Sequence, residues 1–308
     1  MSSRIVFHIG YHKTASTWLQ RVAMPLQPNA RLYLDGALGD DPFLREIILT
    51  SDASFDPAIT RRLFDERVNA LGVPADGVVV VSEERLSGHA ATGGFDTFRI
   101  ANRLAAVLPD AVVFFVVREQ VEMIESEYLQ LVQEGSPASL KWLLEFKPRA
   151  ASLPGFDLGH YEYDRLADHY VQLFGKQNVR LFEFDALRKD PQAFLDAVAL
   201  YIGVEPWPRL SQEILTRRTN PALPRGLIGL RRFLNKFERR PLNPHPVFTI
   251  PAFWRRPLWW FGSRMSSNKK PLLDARTRDE LRDRYRESNI RLAQAYGIDF
   301  GKSTNDRD

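Results

Sequence analysis

The chain has no cysteine among its 308 residues, which excludes disulfides, a thiolate nucleophile and cysteine-built zinc sites. It has only six histidines and no His-Glu-x-x-His pattern, so we assign no metal site. Long apolar stretches are also missing. The longest, residues 111–117, is far shorter than the roughly 20 residues of a membrane-spanning helix. No apolar leader precedes the first strand, so we expect a cytoplasmic protein without a transmembrane segment.

The composition is that of a globular protein, with 44% hydrophobic and 26% charged residues, and the net charge of +4 suits anionic ligands without requiring nucleic acid. Apolar strands alternate with amphipathic helices, which is typical of a parallel α/β sheet. The predicted strands are 5–10, 78–82, 111–117 and 179–184. The predicted helices are 17–24, 98–108, 119–133, 163–174, 191–202 and 276–296. We expect one domain over 1–308, with an irregular insertion or lid at 206–271.

The first strand runs into a glycine, a lysine, several hydroxyl residues and then a helix. Gly10 and Lys13 are followed by Thr14, Ser16 and Thr17. Backbone N–H groups at a helix start point toward an anion, and a lysine adds a full positive charge, so this layout indicates a phosphorylated ligand. The pattern differs from the common triphosphate loop, because His12 stands where that loop has its second glycine. The alternative is an ordinary strand-to-helix turn with capping hydroxyls.

A second motif follows the buried strand 111–117. The strand ends at Arg118, and Ser126 comes eight residues later on the predicted helix. An arginine fork and a serine hydroxyl can converge on one phosphate. A magnesium-dependent kinase would instead need an aspartate at such a strand end.

Together the two motifs resemble those of sulfotransferases. Residues 12–19 (His-Lys-Thr-Ala-Ser-Thr-Trp-Leu) are similar to the family loop Pro-Lys-Ser-Gly-Thr-Thr-Trp-Leu, and Arg118 with Ser126 matches the family's spacing. The resemblance implies a P-loop-like parallel sheet and the co-substrate 3′-phosphoadenosine-5′-phosphosulfate (PAPS), with PAP as product and no metal required. It implies that Lys13 contacts the leaving oxygen and that Arg118 and Ser126 bind the 3′-phosphate. The loop residues that it assigns to PAPS are His12, Lys13, Thr14, Ala15, Ser16, Thr17 and Trp18.

The chain departs from the family loop at two positions, where His12 replaces proline and Ala15 replaces glycine. Alanine fits if that residue is helical but is strained at positive φ. A bacterial, carbohydrate-type subgroup of the family is also resembled, more weakly, by four segments: 182–184, 190–191, 219–223 and 288–297. They imply a small-molecule or glycan acceptor.

Candidates for the general base follow the valine-rich strand 78–82. Glu83 and Glu84 stand at its carboxyl end, where α/β sheets bind ligands. Adjacent strand residues point to opposite faces, so we expect one of them to face the acceptor. The resemblance to carbohydrate-type enzymes implies a glutamate base at this place. The Glu-x-Leu-Ser spacing of residues 84–87 makes Glu84 the first choice and Glu83 the second, and His12 remains a third candidate.

Two later segments leave alternatives open. The basic run 209–240 is either a solvated face or a closure in which Arg217 or Arg218, with Asn220, covers the nucleotide. The aromatic segment 248–261 is either core, an acceptor groove or a peripheral membrane contact. The leading hypothesis is a PAPS-dependent sulfotransferase acting on a hydroxyl or amine, for which the resemblance implies a carbohydrate or glycolipid acceptor. The alternatives are a P-loop nucleotide kinase and a non-enzymatic nucleotide- or nucleic-acid-binding module.

Overall fold

A computed structural model describes residues 3–33, 41–74, 77–147, 153–216, 223, 225–246 and 272–301. Its centre is a five-stranded sheet in the order β2-β3-β1-β4-β5, in which every neighbouring pair is parallel. The strands are β1 Arg4–His8, β2 Ala30–Leu32, β3 Val78–Ser82, β4 Val112–Val117 and β5 Val179–Glu183. The prediction of a parallel α/β sheet flanked by helices is therefore confirmed.

Helices cover both faces of the sheet. In chain order they are α1 Ser16–Trp18, α2 Pro42–Ile48, α3 Pro57–Ala70, α4 Thr97–Val107, α5 Gln120–Gln133, α6 Leu140–Leu144, α7 Tyr163–Phe174, α8 Phe184–Lys189, α9 Pro191–Ile202, α10 Gln212–Thr216, α11 Ile228–Asn235 and α12 Ala275–Tyr296. Shorter 3₁₀ turns include Glu84–Ser87, Leu158–Tyr161 and Arg225–Leu227.

Alternate residues of each central strand supply two separate cores. Phe7 packs with α4, α5 and α7 residues on one face, while Val6 packs with α1 and α9 residues on the other. All six residues of β4 are buried. A strand buried on both faces is a continuous apolar run, which is why the sequence identified β3 and β4.

Several elements differ from their predictions. The short edge strand β2 and the helices α2 and α3 were not predicted. The predicted helix 17–24 is an α-helical turn, a π-helical segment Leu19–Ala23 and a 3₁₀ turn Met24–Leu26. The segment 206–271 was expected to be irregular, but its described part contains α10 and α11. Its residues 217–222, 224 and 247–271 lie outside the described residues.

Strand register brings the ends of three strands to one edge. His8 of β1 is level with Ser82 of β3 and with Phe114 of β4. Beyond β1 the pairing with β4 continues, because Val116 N donates to Gly10 O at 3.0 Å. The loops after β1, β3 and β4 therefore meet at the carboxyl edge of the sheet, where α/β folds bind ligands.

Candidate functional site

The carboxyl edge of the sheet opens into a cleft of about 1540 Å³. Both sequence motifs contribute to its lining. From the predicted site residues the lining includes His12, Lys13, Ala15, Ser16, Thr17, Trp18, Glu84, Arg118 and Ser126. Thr14 and Glu83 are not part of the lining. Arg218, Arg217 and Asn220 lie outside the described residues, as does the aromatic segment 248–261.

The first loop has an unusual backbone. Gly10 has φ +95°, and Lys13 and Ala15 have φ 62° and 63°. Ala15 is thus left-handed at the position where the sulfotransferase loop has glycine, which is the conformation in which alanine is strained. The buried hydroxyl of Thr14 donates to Tyr11 O at 2.5 Å, so this side chain holds the loop together rather than facing the cleft.

The side chain of Lys13 reaches across the cleft toward α5. Its Nζ donates to Gln130 Oε1 at 3.4 Å. Lys13 also lies near enough to Glu84 for its positive charge to oppose the rise that burial causes in the pKa of that carboxyl. The ammonium group is therefore held where the loop, β3 and α5 come together, and it can stabilise negative charge that develops there.

The two glutamates after β3 have separate environments. Glu84 lines the cleft, and its pKa is raised by burial, an effect opposed by a hydrogen bond from Ser16 and by the charge of Lys13. Glu83 accepts a hydrogen bond from Arg85 N at 3.0 Å and caps the turn Glu84–Ser87. Of the pair, only Glu84 is positioned to meet a ligand in the cleft.

His12 also lines the cleft, next to Lys13. Burial, with the charges of Arg85 and Lys13, lowers the pKa of His12 to about 4. Its ring is therefore neutral near pH 7, and its Nδ1 has no hydrogen-bond partner among the described residues. A base with so low a pKa accepts protons weakly at neutral pH.

Arg118, at the end of β4, and Ser126, on α5, both line the cleft. Arg118 Nε and Nη2 donate to Glu122 Oε2 at 3.2 and 3.0 Å, and its guanidinium stacks 5.0 Å from the Phe184 ring centre. Ser126 is one helical turn after Glu122, so both face the cleft from α5. This end of the cleft can bind an anion through a guanidinium and a hydroxyl.

Sequence reasoning missed several charged groups in this region. The cleft is also lined by Glu122, Glu125, Arg188, Arg209, Arg225 and Arg278. Arg209 and Arg225 belong to the basic run that the sequence did single out. Arg188 and Arg278 carry no local pattern that would have marked them.

One further carboxyl is buried close to the site. Glu127 on α5 is 3% exposed, and burial raises its pKa to about 8, with Glu134 adding to the rise and Lys13 opposing it. The sequence did not identify Glu127 as a buried carboxyl, because a sequence does not show directly which face of a helix is buried.

Trp18 ties the loop to the later segment. It is 6% exposed, and its Nε1 donates to Ile214 O of α10 at 3.2 Å. Across the described ranges, no three His, Asp or Glu side chains are grouped closely enough to hold a metal ion. No helix in that same part of the chain has both the length and the apolar character needed to cross a membrane.

No protein-family model matches the chain, and no curated protein matches it in sequence. Structural similarity to sulfotransferases is found. A sulfotransferase from Alicyclobacillus acidocaldarius is 17% identical over 72% of this chain and 88% of that one, with a TM-score of 0.48. Mouse sulfotransferase SULT7A1 complexed with PAP is 12% identical over 95% and 86%, with a TM-score of 0.41. The sulfotransferase domain from the curacin biosynthetic pathway is 14% identical over 92% and 98%, with a TM-score of 0.40. Identities this low do not establish an activity for this chain.

Proposed function

We propose that the protein is a PAPS-dependent sulfotransferase that moves a sulfuryl group to a hydroxyl or amine of a small-molecule or glycan acceptor. One observation carries the proposal. Lys13 with Ser16 and Thr17, from the loop after β1, and Arg118 with Ser126, from the end of β4 and from α5, line a single cleft. A nucleotide with phosphate groups at both its 5′ and 3′ positions can use both sets of anion-binding groups, whereas AMP would use only one.

In the proposed reaction the acceptor oxygen or nitrogen attacks sulfur in line with the leaving nucleotide. A bond forms from the acceptor to sulfur, and the bond between sulfur and the bridging oxygen breaks, so that PAP carries away the electron pair. Lys13 stabilises the negative charge on that oxygen. The acceptor's proton passes to Glu84, which lines the cleft near Lys13. Catalysis is then chiefly positioning and charge stabilisation, as in phosphoryl transfer.

The resemblance of residues 12–19 to the sulfotransferase loop supports the same assignment. The carbohydrate-type subgroup, the 206–271 lid and the part of Arg218 in nucleotide closure are included in this proposal as predictions. Cytoplasmic location and activity without a metal ion are likewise predictions.

Thermal unfolding with PAP, AMP and ATP, each with and without magnesium, tests the proposal. Ligand-linked stabilisation grows as RT ln(1 + [L]/Kd), about 4 kcal/mol at a thousandfold excess over Kd. We expect PAP to raise the melting temperature far more than AMP, independently of magnesium. Release of PAP from PAPS in the presence of an acceptor panel is the matching activity assay. Stabilisation by ATP only with magnesium would favour a kinase instead.

A further inference from the structure

Two glutamates on the cleft side of α5 hold four arginines. Glu122 Oε2 accepts from Arg118 at 3.0 Å and lies 3.8 Å from Arg188 Nη1. Glu125 accepts from Arg225 at 3.3 Å and from Arg278 at 2.5 Å. These arginines come from four places that are far apart in sequence: the end of β4, α8, the turn before α11, and α12.

The glutamates stand where the proposed function requires an anion to bind. Ser126 follows Glu125 directly and is one turn beyond Glu122, so the three side chains share a helix face. Glu125 is only 7% exposed. A carboxylate beside an incoming phosphate repels it, and at low exposure this repulsion is weakly screened.

A phosphate that bound to Arg118 would compete directly with the Glu122 carboxylate. Arg118 Nε and Nη2 both donate to the same Glu122 oxygen. This is the edge of the guanidinium that binds phosphates in a fork. A phosphate at this site must therefore displace or share the carboxylate. A phosphate monoester carries about 1.5 to 2 negative charges at neutral pH against one for a carboxylate, which favours the exchange.

We propose that Glu122 and Glu125 are affinity-determining residues, which compete with the nucleotide's 3′-phosphate for these arginines and so weaken PAP binding enough for the product to leave. The inference rests on the proposed function. With the cleft empty, the carboxylates keep the arginines paired and in place. With the nucleotide bound, they reduce the net attraction that its 3′-phosphate feels.

The test compares nucleotide binding and release in Glu122→Gln, Glu125→Gln and the unaltered protein. Calorimetry gives the Kd for PAP and for AMP, and stopped-flow displacement gives the PAP dissociation rate. Loss of one competing charge should tighten PAP binding about tenfold and slow its dissociation, while AMP binding changes little because AMP lacks the 3′-phosphate. Glu280→Gln is the matched control, since it removes the same charge from an exposed pair with Arg276.

A purely structural clamp would give the opposite result. If the glutamates served only to hold the arginines in place, both glutamine variants would bind PAP with equal or lower affinity, and that outcome overturns the inference. Glu122 is the less buried of the two, so Glu122→Gln carries the test if Glu125→Gln does not fold. No PAP binding to the unaltered protein would overturn the proposed function itself. PAP binding that glutamine does not tighten would overturn this inference alone.

Discussion

Gly10 and Glu84 are in direct backbone contact. A Cβ atom placed on Gly10 would lie 3.1 Å from both the Cα and the carbonyl oxygen of Glu84. The loop that carries Lys13 and the turn that carries the proposed base are thus packed without room for a methyl group between them. The positive φ of Gly10 adds a second reason for glycine at this position. This contact holds together the two backbone segments that carry the proposed catalytic side chains.

Ala15→Gly should leave the protein as stable or more stable, although glycine usually weakens a folded chain. The left-handed backbone of Ala15 costs alanine about 1–2 kcal/mol, while glycine adds about 0.4–1 kcal/mol of unfolded-chain entropy. Chemical denaturation measures the difference. The control is Ala106→Gly on the exposed side of the last turn of α4, which should cost at most about 1 kcal/mol. Equal losses in both variants would contradict the left-handed conformation.

Lys13→Ala should lower turnover by about two to three orders of magnitude, as does loss of a donor that stabilises a developing charge. PAP should still bind, because the backbone N–H groups of the loop remain. Turnover at saturating PAPS, measured beside PAP affinity, separates the two effects. Lys141→Ala is the control, because this lysine is 82% exposed and is not part of the cleft lining. Unchanged turnover in Lys13→Ala would remove the lysine from the reaction.

Arg118→Ala should abolish most of the preference for PAP over AMP. Loss of one partner from a buried, charge-assisted contact typically costs about 2–5 kcal/mol, and only PAP makes this contact. The side chain of Arg118 is 20% exposed, so the lower part of that range applies. The measurement is the ratio of the two dissociation constants in each protein. An unchanged ratio would show that the 3′-phosphate binds elsewhere.

Much of the fold was predictable, because β3 and β4 are buried on both faces and are therefore continuous apolar runs. Helices α2 and α3 were missed although each starts with an aspartate cap and a proline, the pattern that also begins α9. Helix α2 has only seven residues, too few to establish a period, and α3 buries only Thr60 and Phe64, so its apolar period is weak. The site was only partly predictable. Motifs located Lys13 and Arg118, but the Arg278–Glu125 pair joins residues 153 positions apart and has no local pattern.

Stability should fall with rising pH because of Glu127. Burial raises the pKa of this carboxyl from 4.5 to about 8, so between these values the unfolded chain loses a proton that the folded chain retains. The contribution of Glu127 to the free energy of unfolding therefore decreases from about pH 4.5 to pH 8. Buried His8, His12 and His160 have lowered pKa values and act oppositely below pH 6.5. In the window from pH 6.5 to 8 this opposing effect fades as the unfolded histidines lose their protons, and comparison with a variant that lacks the Glu127 carboxyl separates its contribution from those of the remaining groups.

The measurement is the free energy of unfolding of Glu127→Gln and of the unaltered protein across that window. The glutamine variant has nothing to ionise there, so its stability relative to the unaltered protein should increase as the pH rises. Glu134, Lys13 and Glu84 all influence Glu127, and all three are present in both proteins, so their own titration largely cancels in the difference. A difference that does not vary with pH would show that Glu127 is ionised throughout.

Glu84→Gln should reduce turnover by about a hundred- to ten-thousandfold while PAP affinity stays nearly the same. The substitution keeps the shape of the side chain and removes its capacity to accept the acceptor's proton. Glu83→Gln is the matched control one residue away, because Glu83 caps the turn and does not line the cleft. It should leave turnover nearly unchanged and lower stability by about 1 kcal/mol at most. If both variants transfer the sulfuryl group at the full rate, neither glutamate is the base. His12, whose ring is neutral and lines the same cleft, then becomes the residue to replace.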